Sequence, residues 1–344
     1  MGVYMESIYG VTINELENFL QEHHDKKYRA SQIVDWLYVK RVDTFNKMTN
    51  LSKELIQALE ENYYFDKLEI LKKQIDKDAS KFLFKLCDGN LIEAVLMNHD
   101  YGNSLCVSSQ VGCNMSCKFC ESGRLKRIRN LTSGEMVSQI LVIEKEIGIR
   151  ISHVVVMGIG EPFDNFDNLV KFITIANYQK GINLGSRHIT VSTCGIVPRI
   201  YDFARLPFQV NLAISLHAPN NQIRDKIMPI NKIYKIEKLM AAIKDYLKIT
   251  NRRVTFEYIM LENINDSEDN AHELAHLLRG INCYVNLIPY NETENIAFKR
   301  TEKKKILKFY DILKKEKINV TIRKEFGGNI DAACGQLRAR GEVK

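Results

Sequence analysis

No apolar run in this 344-residue chain reaches the ~18 residues that a membrane-crossing helix needs. The opening residues, MGVYMESIYG, lack the basic and apolar regions of a secretory leader. There is no internal repeat and no low-complexity segment. These absences lead us to expect a cytoplasmic protein without a membrane segment, in a compartment where thiols stay reduced. They also make the eight cysteines the feature to explain, because reduced cysteines signal metal or redox chemistry and not a disulfide scaffold. With 45% hydrophobic and 26% charged residues, the composition is that of an ordinary globular protein. The length suits one large catalytic domain plus a small accessory one.

Three cysteines, Cys113, Cys117 and Cys120, form a Cys-x3-Cys-x2-Cys triplet in GCNMSCKFCESG. No fourth Cys or His follows Cys120 within a few residues, which disfavours a compact zinc knuckle with its four tetrahedral ligands. Three close thiolates can instead hold three irons of a [4Fe–4S] cubane. The remaining iron is then open to chelate a small molecule and pass it an electron. Zinc stays the alternative for the triplet taken alone. The spacing resembles that of radical S-adenosylmethionine (SAM) enzymes. That resemblance implies SAM as cofactor and a 5′-deoxyadenosyl radical as its product.

The chain changes character near residue 81. Before it, Asn14 to His23, Ala30 to Lys40 and Ser52 to Tyr63 carry apolar residues at three-and-four spacing and predict helices. Asn50 or Ser52 can cap the third. Tyr28, Ile33, Trp36 and Leu37 read as one buried stripe. After it, Phe82 to Leu86 and Leu91 to Met97 predict a hairpin around Asp88-Gly89-Asn90. Strand-like runs then alternate with helical ones: Leu105 to Ser108, His153 to Met157, His188 to Ser192, Val210 to Ser215, Val254 to Ile259 and Tyr284 to Ile288. Thr132 and Glu135 form a capping box for the first helix of that series. Asp266 or Ser267 can cap the helix before Cys283. Six β/α units in succession predict an α/β fold, a partial (β/α)6 barrel whose functional loops stand at the strand C-termini. The expected division is a helical accessory domain over 1–80, a hairpin extension over 81–103 and the barrel over 104–344.

The candidate residues gather at those strand ends. Gly158-Ile159-Gly160-Glu161-Pro162 follows VVVM; Gly lets backbone approach a ligand and Glu161 can accept from an ammonium. Taken alone, the string is equally a strand-to-loop turn. Ser192, the run Ser215-Leu216-His217, and Asn291 end three further strands. Singly these are caps or turn residues; together they suit the ribose and carboxylate of SAM. Cys87 and Cys283 read as buried small hydrophobes, and Cys194 is left open beside Ser192. Cys334 differs, because Gly335 follows it in a polar segment. Net charge is +7, and it is uneven: residues 1–85 carry −1 and residues 86–344 carry +8. Arg124, Lys126, Arg127 and Arg129 cluster just after the triplet, weak evidence for a polyanion partner.

The chain resembles the RlmN/Cfr family of radical-SAM rRNA adenine methyltransferases nearly end to end. The likeness is carried by YRASQIVDWLY, MTNLSKEL, LCVSSQVGCNMSCKFC, RNLTSGE, MGIGEP, SLHAPN with IRDKIMPIN, LIPYN, and VTIRKEFGGNIDAACGQLR. The resemblance implies the following roles. Cys113, Cys117 and Cys120 hold the cluster, and Gly160, Glu161, Ser192, Ser215, Leu216, His217 and Asn291 hold SAM. Cys334 takes a methyl group from a first SAM, Cys106 resolves a protein–RNA crosslink, and Glu93 accepts a proton. The partners implied are 23S rRNA, tRNA as a further substrate, and a reductant such as flavodoxin or ferredoxin. A monomer is expected. The stretch Glu121 to Ile128 departs from the family, which has small residues there.

Chemistry fits these roles. An adenine C2 or C8 carbon is electrophilic and has no acidic proton, so it cannot attack the SAM methyl directly. A methyl parked on sulfur can lose a hydrogen atom and add to the ring. A base then removes the ring proton, and a second thiolate attacks the bridging sulfur. Three functions compete: C2 methylation of an rRNA adenosine, C8 methylation of the same base (the antibiotic-resistance activity of the Cfr branch), and non-enzymatic RNA binding by an iron–sulfur protein. GEP, HAPN and LIPYN favour the first.

Overall fold

The computed structural model describes residues 5–324 and Ile330. Cys334, the expected methyl carrier, and the Gly327-Gly328 pair lie outside the described residues.

Three helices come first: α1 (Ile13–Glu22), α2 (Tyr28–Val34) and α3 (Lys53–Asn62). Thr12 and Glu15 close a capping box on α1, and Ser52 caps α3 by accepting the Leu55 N–H at 3.2 Å. Three of the four residues of the expected stripe meet the core. Ile33 and Leu37, one helical turn apart, are buried. Tyr28, five positions before Ile33 and so on another face, is 54% exposed. Trp36 is half-buried against the core, with the Lys40 ammonium 3.6 Å above its ring.

Ten strands build one sheet: β1 (Glu69–Ile75), β2 (Ala79–Lys85), β3 (Leu91–His99), β4 (Gly102–Cys106), β5 (His153–Val156), β6 (Ile189–Thr193), β7 (Asn211–Ser215), β8 (Val254–Met260), β9 (Cys283–Pro289) and β10 (Val320–Ile322). They lie side by side in chain order. β1 to β4 form an antiparallel meander. β4 to β10 are parallel. The crossovers carry α4 (Ser133–Ile147), α5 (Phe166–Asn177), α6 (Val197–Ala204), α7 (Asn221–Ile227), α8 (Ile236–Thr250), α9 (Glu268–Leu278) and α10 (Lys303–Lys315). All six expected parallel strands are present. β10 adds a further one, three residues long and too short to give a periodic signal. β1 also joins the sheet, although it falls in the segment expected to be helical. Lys324, just past β10, reaches Asp78 between β1 and β2 at 3.8 Å, so the sheet curls until its distant strands approach.

The alternation along each strand separates two environments. Val191, Ile214, Phe256 and Val285 point outward into the core under the helices. Their neighbours Ser192, Ser215, Glu257 and Asn286 point inward. Register aligns Ser215, Glu257 and Asn286 across β7, β8 and β9. A parallel sheet normally reads as continuous apolar runs; the polar inner face marks a cavity.

The N-terminal segment docks on the start of α4. Glu6–Ser7 pairs with Tyr63–Tyr64, and Ser133 Oγ donates to Gly10 O at 3.0 Å. A Cβ on Gly134 would stand 2.4 Å from Ser7 Oγ and 2.7 Å from Asp66 Oδ2. Gly134→Ala should therefore cost about 1–3 kcal/mol by overpacking. A lowered melting temperature with faster proteolysis before residue 69 is the expected result; an unchanged melting curve would contradict this docking.

Candidate active site

The cysteine triplet sits on an excursion closed at its neck. Gln110–Val111 pairs antiparallel with Arg129–Asn130. Cys113 N–H donates to Leu125 O at 3.0 Å, and Lys118 N–H to Ile227 O at 2.9 Å, which ties the loop to α7. The charged stretch after the triplet is buried at its start and tied to the protein by its arginines, while Lys126 and Ile128 are exposed. Glu121 and Ser122 are buried, Arg124 donates to Asn295 O at 2.7 Å, and Arg127 pairs with Asp164. Arg129 forks onto both Glu135 oxygens at 2.7 Å and onto Asp88 at 2.6 Å. Three of the four basic residues in this cluster thus serve the fold, which weakens their reading as a polyanion contact.

The three cysteines line one side of a cavity of about 870 Å³, its open mouth included. Gly160, Glu161, Ser192, Ser215 and His217 line the other. Ser192 Oγ and Ser215 Oγ are 3.4 Å apart. Leu216 is near but differently engaged: its side chain is buried in the outer core, and its backbone bonds Glu257 and Arg224. Asn291 follows β9 and does not line this cavity. Glu93 and Cys106 lie together on the inner face of β3 and β4. Cys106 registers with Val95, two residues from Glu93, and packs with Val95, Met97 and Ile159. Glu93 forms a buried ion pair with Lys81 at 2.9 Å. Cys283 is buried as expected, but Cys87 is exposed, at the end of the hairpin.

Burial sets the electrostatics. It pushes the Cys113 thiol up to about 12 and the Cys117 thiol well above its ordinary value. Such thiols ionise on binding metal, which releases their protons. Burial likewise raises Glu161, whose carboxylate accepts N–H from Phe163 at 3.0 Å and Cys194 at 2.8 Å. Glu257 is raised by burial too; Asn286 Nδ2 donates to it at 2.9 Å. The Gly160 backbone, at φ +113°, leaves no room for a side chain: a Cβ would meet Gln110 at 2.7 Å. Among the described residues no three His, Cys, Asp or Glu side chains converge on one point. A cubane takes one thiolate per iron, and Cys113, Cys117 and Cys120 line one cavity together, so the donor set fits a cluster.

Residues 107–275 match the model of the radical SAM superfamily, and residues 7–64 match that of the ribosomal RNA large subunit methyltransferase N-terminal domain. A curated relative from Spiroplasma citri, described as a probable dual-specificity RNA methyltransferase RlmN, is 56% identical over 98% of this chain and 99% of its own. One from Acholeplasma laidlawii with the same description is 54% identical over 97% of this chain and 99% of its own. The crystal structure of a radical SAM methyltransferase from Sphaerobacter thermophilus superposes with TM-score 0.92 at 42% identity, covering 98% of this chain and 100% of that one. The chain belongs to the RlmN family of radical SAM RNA methyltransferases.

Membership implies a [4Fe–4S] cluster and SAM. It also identifies the fold as the radical SAM barrel. No helix among the described residues is long and apolar enough to cross a membrane. Sequence reading missed two groups that line the cavity and one buried behind it. Glu257 was hidden inside a β8 run that reads as core, and Arg323 stands in VTIRKEFGGNIDAACGQLR, where only the cysteine was given a role. Arg224 sits mid-helix, where an arginine ordinarily faces solvent.

His217 is the most constrained lining residue. Its backbone is left-handed at φ 57°. Its ring Nδ1 accepts the Ile259 N–H at 3.0 Å, so the neutral ring carries its proton on Nε2. Burial, helped by Arg224, lowers its pKa to about 3. The folded protein therefore stays unprotonated where the unfolded chain, near 6.5, takes up a proton. Stability contributed by this neutrality is complete above pH 6.5 and falls by about 1.4 kcal/mol per pH unit below it. NMR of the imidazole should show no titration between pH 8 and 5; a midpoint near 6.5 would contradict the buried, neutral ring.

Proposed function

We propose that this enzyme methylates C2 of an adenosine in 23S rRNA through a methyl-cysteine intermediate, with tRNA as a second substrate. The observation that carries this reading is the separation of thiols: a triplet in one wall of the cavity, and Cys106 apart from it on the inner face of β4. Cys113, Cys117 and Cys120 would hold the cluster. Glu161 would receive the SAM ammonium, and Gly160, Ser192, Ser215, Leu216, His217 and Asn291 would form the rest of its site. Leu216 and Asn291 would act through backbone or after closure on the ligand, since their side chains stand off the cavity. Together the cluster and SAM supply the hydrogen-abstracting carbon radical.

The remaining steps belong to the chain. Cys334 sulfur carries the methyl group; once that methyl has lost a hydrogen atom, its carbon joins the adenine ring, and the unpaired electron of the adduct would pass to the cluster. Glu93, oriented by Lys81, takes the ring proton. The Cys106 thiolate attacks Cys334 sulfur, forming a disulfide as the carbon–sulfur bond breaks, and the released carbon takes the electron pair and a proton to become the methyl group. Ile330 supports this pairing, for it packs against the group that contains Cys106. The four residues from Ile330 to Cys334 span at most about 14 Å. The target base must be unstacked to reach so enclosed a site. A small reductant protein such as flavodoxin or ferredoxin would feed the cluster, and the enzyme would act as a cytoplasmic monomer. The C8 alternative draws no support from the curated relatives, which are described as RlmN.

Nucleoside mass spectrometry of rRNA treated with the enzyme should yield 2-methyladenosine. The 8-methyl isomer would reassign the regiochemistry. Cys106→Ala should accumulate a covalent protein–RNA adduct on a denaturing gel under turnover, whereas Cys334→Ala should give neither adduct nor product. A Cys106→Ala protein that binds RNA and SAM normally yet forms no adduct would reject the resolving role.

A further inference from the structure

Arg224 is fully buried on α7, with 0% exposure. Its guanidinium donates from Nε to Leu216 O at 3.1 Å and from Nη1 to Asn231 Oδ1 at 3.1 Å. From Nη2 it donates to Cys194 O at 2.7 Å and to Ser215 O at 3.2 Å. All four partners are neutral oxygens. No carboxylate forms an ion pair with it among the described residues; its neighbour Asp225 turns outward to Lys235 at 2.7 Å. A buried cation without a counter-charge is costly, so the position demands an explanation.

The contacts supply one. The Cys194 and Ser215 carbonyls stand at the ends of β6 and β7, beside Ser192 and His217. The C-terminal end of α7 accepts the Lys118 N–H from between Cys117 and Cys120. Ile227 and Met228 pack in one cluster with Phe119 and Cys194, and Cys117 and Cys120 lie against it. At the other end of Cys194, the Glu161 carboxylate accepts its N–H at 2.8 Å. Arg224 therefore sits directly behind the cysteine loop and is fastened to two of the strand ends that line the cavity. Three thiolates around a cubane leave a net negative charge, and reduction adds another. A fixed cation at this place favours the reduced state.

We propose that Arg224 is a positioning residue that fastens the ends of β6 and β7 against the cysteine loop and serves as the fixed counter-charge of the bound cluster. This rests on the cluster reading above, and wild-type iron content reads that assignment separately. The test is a redox titration of the anaerobically reconstituted protein with SAM and without RNA, so that turnover plays no part. Arg224→Gln should retain iron and show a lower midpoint potential. We expect the reduced-to-oxidised ratio at fixed potential to fall about tenfold, a downward shift of about 59 mV. Arg224→Lys keeps the charge but loses the fork. It should hold a potential close to wild type while binding SAM several-fold more weakly. If Arg224→Gln loses its cluster, iron uptake restored by Arg224→Lys supports the counter-charge, and no restoration overturns it. An iron-loaded Arg224→Gln with the wild-type potential would overturn it outright, as would an Arg224→Lys protein whose potential falls as far as that of Arg224→Gln.

Discussion

Glu161 and Arg224 grip opposite ends of one residue. The carboxylate takes the N–H of Cys194 at 2.8 Å and the guanidinium takes its carbonyl at 2.7 Å. Both charges are buried, and each would be expensive alone. Through this residue the loop after β5, the end of β6 and helix α7 become one body, and α7 in turn holds the cysteine loop. The cavity is a consequence of that tie. Without it, the strand ends would splay, as loops above a parallel sheet generally have freedom to do.

Sheet topology makes the tie possible. Seven parallel strands in chain order bring every strand C-terminus to one rim, so residues far apart in sequence meet without long loops. The inner face is polar because it faces a cavity, while the outer face packs under helices. Burial then sets the protonation states: high for the Cys113 and Cys117 thiols and for Glu161, low for His217. The protonation of these groups is thus set by the fold before any charged cofactor binds. That is a preorganised arrangement, because its donors and acceptors are already fixed by backbone contacts.

Much of this was legible in the sequence because its signals are local. The capping boxes at Thr12 and Thr132, the hairpin at Gly89 and the alternation of strands with helices follow from residues within one turn of each other. The triplet was legible because its spacing is itself the chemistry. What escaped were features decided by distant contacts. Arg224 and Glu257 look like ordinary residues of their own elements; only the fold buries them. β10 is too short for periodicity. Tyr28 and Cys87 read as core, yet one is exposed on another helix face and the other lies at an open hairpin end. The basic stretch from Arg124 to Arg129 suggested nucleic acid, but acids brought in from Asp88, Glu135 and Asp164 claim two of its arginines.

The central claim is that the three cysteines hold a cubane with one iron open to SAM. Electron–nuclear double resonance on the anaerobically reconstituted, reduced protein, with SAM carrying nitrogen-15 in its amino group, tests it most directly. The account predicts about four irons per chain and a resolved coupling between the cluster spin and the labelled nitrogen. Zinc as the stoichiometric metal, or an iron–sulfur signal with no nitrogen coupling at saturating SAM, would contradict it.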